Sequence, residues 1–472
     1  MPQDIEFAYQ LYYNYQHYIE HSLTRRRFKH SDIVPLIKHL KEHHNLTIKE
    51  AGRSLHGRSI NLIKFGEGNI KIFLWSQMHG DESTATMAIF DILNFLTRND
   101  HFNEFRRELF SNASVYFMPM VNPDGAEIFQ RRNGYEIDIN RDASALITPE
   151  GQILKSTFDE IKADFGFNLH DQRINYSAGH SFKPATLSFL APSEDYEYTL
   201  SAVRSNAVKL ITHLYTILSS FIPGHIGKYP AEFEPRAFGD NFQKLGTSTI
   251  LIESGGWAND IEKQFVRKMN FLALITGFKS IIEHSYKLQS LETYDEIPFN
   301  ESDLMYLILR NLIYKKDGTE CKIDIGINRT EVNLNGARNF YFKSAIEDIG
   351  DLSIYFGYED YNLEGMELTV GKTFPEMFNT VSEIEKLNFV KLYDEGYTNV
   401  ILNSNHLKDE FSRYPVNIIT NANTPPAPEI KIGEIPNFLI KKNGKVRYSV
   451  VNGFIIDINN LSWENKNGLI IS

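Results

Sequence analysis

Four apolar runs punctuate the first 290 residues: 70–78 (IKIFLWSQM), 113–120 (ASVYFMPM), 165–169 (FGFNL) and 249–252 (TILI). Apolar runs of this length, flanked by polar turns, are strands covered on both faces. Between them the apolar residues return at helical spacing, as in Ile89, Ile92, Leu93 and Leu96, and in Phe265, Met269, Leu272 and Thr276. Buried strands alternating with helices constrain the chain to an α/β fold: a mixed, largely parallel central sheet flanked by helices. Two further strands over 46–51 and 60–65, joined by Gly-containing turns, and a helix behind Ser31-Asp32 (Ile33, Leu36, Ile37, Leu40) complete this body, which spans residues 31–290. Residues 1–30, rich in Tyr and His and ending in Arg25, Arg26 and Arg27, read as an N-terminal helical extension lying on it.

The pattern changes after residue 300. Residues 300–472 are short β-like runs, and Asn443-Gly444 and Asn452-Gly453 are hairpin-turn signals. This half reads as a β-rich C-terminal domain with helices near 301–314 and 373–386 and a stiff loop at Pro425, Pro426 and Pro428. The 472 residues carry a net charge of −11, which speaks against a nucleic-acid partner. The single cysteine, Cys321, excludes an internal disulfide and a thiolate metal cluster. No run of about 18 apolar residues marks a membrane span, and the N-terminus lacks the basic-then-apolar order of a signal peptide. A cytoplasmic location is expected.

Hydrolytic zinc sites often take a His and a carboxylate three residues apart, plus a distant third ligand. The chain has four His/Glu pairs at that spacing: His17/Glu20, His39/Glu42, His79/Glu82 and His101/Glu104. Three sit in polar, helix-like surroundings, where such a pair is ordinarily a solvated side-chain contact. His79 instead ends the buried strand 70–78, and Glu82 opens the next helix. Ligands bind at the carboxyl ends of strands in such sheets. His170 also leaves a buried strand, whereas its rivals as third ligand, His180 and His225, lie in a polar loop and beside Gly224. Two His and one Glu would hold one zinc ion and leave a position open, the mark of a catalytic site. Glu253 closes the run STILIE; a carboxylate ending a buried strand is costly unless paired or used, which makes it the candidate general base, with a salt-bridged Glu as the structural alternative.

Five segments in order, HGDE (79–82), NPDG (122–125), RRNGYEIDINRD (131–142), NLHD (168–171) and ILIESGG (250–256), resemble the zinc carboxypeptidase (carboxypeptidase A-like) metallopeptidase family. The resemblance covers roughly residues 31–285 and implies a fold and a division of labour. His79, Glu82 and His170 would hold zinc, and Glu253 would be general base and then acid. Arg131 would polarise the scissile carbonyl, Asn140 and Arg141 would hold the substrate's terminal carboxylate, and Asp138 would orient the His79 ring from behind. Arg suits the anion roles because its planar fork grips a carboxylate through two parallel bonds.

The chain departs from the family pattern in places. Asp81 stands where many members have Arg, and Asp142 follows Arg141, where it could partly neutralise the carboxylate clamp. The family's mobile tyrosine has Tyr229 as candidate, 24 residues before Glu253. Arg236, Phe238 and Asp240 fall where a specificity pocket would be built, Phe238 favouring an apolar side chain and Arg236 an acidic one. The expected function is zinc-dependent removal of a C-terminal residue from peptides; the expected partner is a peptide or amide with a free carboxylate. The rivals are a zinc amidohydrolase acting on N-acyl amino acids or peptidoglycan-type amides, similar to the aspartoacylase-like deacylases, and a non-catalytic peptide-binding protein.

Overall fold

The computed structural model describes residues 3–403, 411–420, 429–460 and 468–471. They form two compact units, Met1–Ser302 with Gly336–Arg338, and Asp303–Asn335 with Asn339–Ser472.

The first unit is built on a mixed eight-stranded sheet. Its strands are β1 (Leu46–Arg53), β2 (Ser59–Phe65), β3 (Ile70–Ser76), β4 (Ala113–Met118), β5 (Phe165–Asp171), β7 (Leu187–Leu190), β8 (Ile226–Lys228) and β9 (Ser248–Ser254), in the order β1-β2-β4-β3-β5-β9-β7-β8; the two-residue β6 (Ser177–Ala178) lies outside it. β4, β3, β5 and β9 run parallel in the centre, β1, β2 and β7 pair antiparallel around them, and β8 runs parallel to β7. The central strands are buried on both faces, which is why each reads as an unbroken apolar run, whereas edge strand β1 alternates only weakly.

Ten helices accompany these strands among the described residues: α1 (Gln3–Asn14), α2 (His30–Leu40), α3 (Thr84–Thr97), α4 (Asn103–Asn112), α5 (Pro123–Ile128), α6 (Pro149–Ile161), α7 (Ala202–Leu218), α8 (Phe238–Lys244), α9 (Gln264–Glu283) and α10 (Glu292–Glu296). The larger core packs Ile89, Ile92 and Leu93 of α3, Leu210 and Leu214 of α7 and Phe271 and Leu274 of α9 against Ile72, Leu74 and Phe167 of the sheet. A second core holds Leu154 and Phe158 of α6 and Phe238 and Phe242 of α8 with Phe73, Trp75 and Met118. Successive residues of one strand, Ile72 and Phe73, thus enter different cores.

Residues 3–30 pack against this unit with one face buried. Leu11, Tyr15, Tyr18, Leu23 and Phe28 are buried in the larger core. Asp91 of α3 accepts from the Tyr15 hydroxyl at 2.7 Å, from the Glu20 amide at 2.7 Å and from the fully buried guanidinium of Arg267 on α9, which also donates to the carbonyls of Leu23 and Glu20. In α2 it is the Lys29 amide that donates to Asp32, at 2.7 Å, so Asp32 caps from inside the helix. The unit also runs past residue 290: β10 (Asn300–Glu301) pairs with β6, and the Lys228 amide donates to the Pro298 carbonyl at 2.8 Å.

The second unit is β-rich, as expected. Strands Leu304–Lys316, Thr319–Leu334 and Asn339–Gly350 form an antiparallel meander, and strands Lys372–Phe378, Tyr397–Leu402, Asn417–Thr420 and Gly468–Ile471 form a parallel run in another sheet. Asn443-Gly444 and Asn452-Gly453 each turn a hairpin with positive φ at both residues. The expected helix near 301–314 is instead a strand: a bulge between Leu309 and Leu312, with Asn311 at φ 61°, slips the alternation and makes it look helical. Over 373–386 the chain is an edge strand carrying Pro375, then only the short helix Val381–Glu385. Pro425, Pro426 and Pro428 lie outside the described residues. No helix among the described residues is long and apolar enough to cross a membrane.

Candidate metal centre

The parallel strands β3, β5 and β9 end on the same edge of the sheet, and the chemistry-bearing motifs leave from those ends. After β3 the chain turns through Gln77, held at φ 53°, and residues 79–82 pass against α5. Gly80 permits that approach: a Cβ there would lie 2.1 Å from the Gly125 carbonyl carbon and 2.3 Å from the Ala126 nitrogen. The NPDG segment is the other half of this joint. Asn122 caps α5 by accepting from the Gly125 amide at 2.8 Å and donates to the Arg131 carbonyl at 3.3 Å. Asp124 is turned away, accepting from Ser54, the His56 amide and Arg58. The NPDG motif therefore sets backbone rather than supplying reacting groups.

His79, Glu82 and His170, all buried, converge so that one donor atom from each lies within 4.8 Å of the others. His79 Nδ1 is 2.7 Å from Glu82 Oε1, His170 Nδ1 is 2.7 Å from Glu82 Oε2, and the two Nδ1 atoms are 3.2 Å apart. Glu82 precedes α3 by two residues, in the turn that leads into it, and its Oε2 also accepts from the Asp171 amide at 3.2 Å.

Asp138 Oδ1 lies 3.1 Å from His79 Nε2. A carboxylate only accepts, so Nε2 carries the proton and Nδ1 is left with its lone pair turned to Glu82. A lone pair facing a carboxylate oxygen at 2.7 Å is repulsive unless a cation or proton lies between them. Burial disfavours charge on His79, yet the Glu82 charge and the bonds to Asp138 and Glu82 outweigh it and push the ring up to about 9. Burial also opposes ionisation of Glu82, but the two imidazoles hold it well below the usual carboxylate range. On His170 burial wins and the ring is shifted down. Two nitrogens and a carboxylate that together attract positive charge fit a divalent zinc-type ion.

Glu253 stands in register with His170 on the neighbouring strand, so both side chains leave the same face. The residue is half-buried, and its Oε2 is shielded from solvent with no hydrogen-bond partner. Burial first, then the Glu82 charge, lift its carboxyl well above the ordinary value, with His79 and Lys263 opposing. Arg131 reaches the same cluster: Nη1 is 3.2 Å from Glu82 Oε1, and Nε and Nη2 sit 3.0 and 2.9 Å from Asp138 Oδ2. Asp138 thus binds a ligand histidine through one oxygen and Arg131 through the other. Its carboxyl is held low by His79 and Arg131 against the effect of burial.

Asn140 and Arg141 follow in a single 3-10 turn whose start Asp138 caps, accepting from the Asn140 amide at 2.9 Å. Asn140 Oδ1 accepts from the Phe238 amide at 3.0 Å, which ties this turn to α8. Asp142 does not touch the Arg141 guanidinium; it accepts from the Ile147 and Thr148 amides and the Thr148 hydroxyl and closes the loop before α6. The residue that pairs with Arg141 is Glu234, at 3.3 Å, and Arg236 grips the same carboxylate. Phe238 is wholly buried in the second core, which removes it as a pocket wall, and Asp240 accepts from the Glu234 amide. Tyr229 is anchored: its hydroxyl donates to Gln172 Oε1 at 2.7 Å, and burial followed by the Glu253 charge raises its pKa.

His180 is 80% exposed and His225 bonds the Pro184 carbonyl at 2.9 Å, so neither rival joins the cluster. The His39/Glu42 pair is exposed, as its polar surroundings imply. Sequence reasoning missed Lys263, whose buried ammonium joins the ends of β5 and β9 by reaching Asp171, the Gln172 carbonyl and the Ser254 carbonyl at 3.2, 3.3 and 2.8 Å. It also missed Gln172 and Asn300, which bond each other at 2.8 Å beneath Tyr229. Lys263 carries no sequence signal, and Asn300 lies beyond the expected end of the body.

A family model described as zinc carboxypeptidase matches residues 33–159, a stretch that includes His79, Glu82, Arg131, Asp138, Asn140 and Arg141 and stops before His170. Carboxypeptidase 2 of Trichophyton rubrum is 24% identical over 141 residues, covering 30% of this chain and 23% of that protein. Carboxypeptidase SOL1 of Arabidopsis thaliana is 30% identical over 101 residues, 21% of this chain and 20% of its own length. Carboxypeptidase B of Astacus astacus is 22% identical over 209 residues, 43% of this chain and 62% of that one. The chain therefore spans less than two thirds of each of these relatives, and under a quarter of the first two. Among solved structures, a metallo-carboxypeptidase from Burkholderia cenocepacia aligns with a TM-score of 0.46 at 14% identity, over 55% of this chain and 70% of that one.

Proposed function

We propose that this chain, whose residues 33–159 carry the zinc carboxypeptidase family's domain, is a zinc-dependent metallocarboxypeptidase that hydrolyses the C-terminal bond of peptides. The observation that carries the reading is the convergence of His79, Glu82 and His170, with Glu253 on the adjoining strand holding one shielded, unpartnered oxygen, Oε2. His79 and His170 through Nδ1 and Glu82 through its carboxylate would hold zinc, which supplies Lewis acidity and an acidified water when bound.

The chain's own groups do the rest. Glu253 has the raised affinity for a proton that a general base needs, so it accepts one from water and passes it to the leaving amine. Arg131, anchored by Asp138 and about half exposed, lends positive charge where the scissile carbonyl oxygen becomes negative. Removing one such donor typically costs about 3–4 kcal/mol of transition-state stabilisation. Arg141 offers a guanidinium to the terminal carboxylate. Asp138 keeps the proton of His79 on Nε2 and so keeps Nδ1 a ligand.

Glu253→Gln tests the reading. The variant is expected to keep its zinc and lose at least about a hundredfold in turnover of a free-acid peptide. Normal hydrolysis by this variant, or equal hydrolysis by the wild type of a peptide and its C-terminal amide, would remove the proposed mechanism.

A further inference from the structure

The guanidiniums of Arg141 and Arg236 converge on one internal carboxylate, Glu234. Arg236 Nε and Nη2 donate to Glu234 Oε1 and Oε2 at 3.0 and 2.8 Å, a parallel two-bond grip, and Arg141 Nε approaches Oε2 at 3.3 Å. Backbone contacts hold the two segments together: the Ala143 amide donates to the Arg236 carbonyl at 3.0 Å and the Ser144 hydroxyl to the Pro235 carbonyl. Glu234 itself is fastened through its amide to Asp240 at 3.0 Å. Arg141 stands three residues after Asp138, the carboxylate bonded to His79.

We infer that Arg141 and Arg236 together form the subsite for a substrate's terminal carboxylate, and that Glu234 is a built-in carboxylate which the substrate displaces from Arg141. The inference rests on the carboxypeptidase reading and extends it by one binding residue and one competitor. Two positive charges against the single charge of Glu234 leave one to attract a second carboxylate. The side chains of Arg141, Arg236 and Glu234 are 39, 59 and 29% exposed, so solvent and ligand reach the pair. A half-exposed ion pair is weak, which sets the scale: an internal competitor of this kind lowers apparent affinity by up to about fivefold. Arg236 keeps Glu234 through Nε and Nη2 after the exchange, so the displaced carboxylate is not left alone, and what Arg236 adds to the subsite is its charge rather than these two bonds.

The experiment uses the zinc-loaded full chain and reads both turnover and binding. N-acetylphenylalanine, a free carboxylate of product type, and its amide are titrated by calorimetry into wild type, Glu234→Gln, Glu234→Asp and Arg236→Ala, alongside the KM of each for an N-acylated dipeptide. Glu234→Gln is expected to bind the acid about two- to fivefold more tightly and to lower KM by the same factor, with binding of the amide unmoved. Glu234→Asp, too short to span both guanidiniums, is expected to fall between. Arg236→Ala is expected to weaken the acid about tenfold or more. Weaker binding of the acid by Glu234→Gln would mean that Glu234 props Arg141 in place, and an unchanged value would make it a spectator; either overturns the inference. Failure of the wild type to cleave any free-acid peptide overturns the underlying reading instead, and is recognised separately because the binding comparison needs no turnover.

Discussion

Replacing Asp138 by Asn keeps its shape and removes its charge, which makes it a sharp test of how the metal centre is oriented. The carboxylate receives four donors: His79 Nε2 at 3.1 Å and the Asn140 amide at 2.9 Å on Oδ1, and Arg131 Nε and Nη2 at 3.0 and 2.9 Å on Oδ2. An amide offers only one accepting oxygen. If that oxygen faces His79, the amide NH2 points at Arg131, donor against donor, and the guanidinium is pushed toward solvent. If it faces Arg131, the NH2 points at His79 Nε2, which must then give up its proton to Nδ1, the nitrogen turned toward Glu82. The second outcome blocks a ligand and the first displaces the group beside it. Loss of an orienting partner behind a histidine ligand typically weakens metal binding about 10–100-fold, or about 1.4–2.7 kcal/mol. The assay is competition for zinc against a chromophoric chelator, with circular dichroism to establish that the variant is folded. A second loss of about tenfold or more in kcat/KM, measured at saturating zinc, is expected from the weakened hold on Arg131. A folded Asp138→Asn protein whose zinc affinity stays within threefold of wild type would refute the orienting role.

Two other perturbations probe the scaffold. Arg267→Met leaves the Asp91 charge buried and is expected to destabilise the first unit by about 3–5 kcal/mol in urea unfolding, whereas adding Asp91→Asn should recover much of the loss; a single-variant cost below about 1 kcal/mol would mean that the ion pair does not fasten the N-terminal segment. Burial, with Glu234 adding to it against backbone amides and Arg141, raises the Asp240 carboxyl from 3.8 to about 6. The folded protein therefore keeps this proton where the unfolded chain has released it, so its favourable contribution is present below about pH 4 and is lost as pH rises to about 6. Asp240→Asn is expected to flatten that part of the curve of stability against pH, and an unchanged slope between pH 4 and 6 would refute the assignment.

How much of the fold was legible depended on how each strand is covered. β3, β4, β5 and β9 are sealed on both faces, so burial left an uninterrupted apolar signature, and α3 and α9 present enough buried positions for helical spacing to emerge. The strands β7 and β8 are only four and three residues long and carry no such signature. In the second unit the bulge at Leu309–Leu312 shifted an alternating pattern into one that imitates a helix, because a single inserted residue turns every later side chain to the other face. The N-terminal segment looked peripheral because its fastening groups, Tyr15 and the carbonyls of Glu20 and Leu23, are matched by Asp91 and Arg267, which come from distant parts of the chain.

The same distinction divides the site. His79, Glu82, His170 and Glu253 were readable because each sits at or just beyond the end of a buried strand, where a polar side chain is conspicuous. Their consequences for the surrounding residues were not. Asp142, next to Arg141 in sequence, bonds the loop before α6, whereas Glu234, 93 residues away, is the carboxylate that meets Arg141. Adjacent residues in a turn point apart, so proximity along the chain is a poor guide to which charge neutralises which. Phe238 was counted toward a pocket from its place near Arg236, but it begins α8 and faces the second core with Phe242. Arg236, two residues earlier on an exposed loop, pairs with Glu234 instead. The placing of Arg236 and Glu234 therefore depends on where α8 starts, and the Phe238 amide at that start donates to Asn140, a residue whose role would otherwise be read as binding alone. If Asn140→Ala displaced α8, it would move Arg236 and Glu234 with it, and the loss of affinity for carboxylates would exceed the loss of one hydrogen bond.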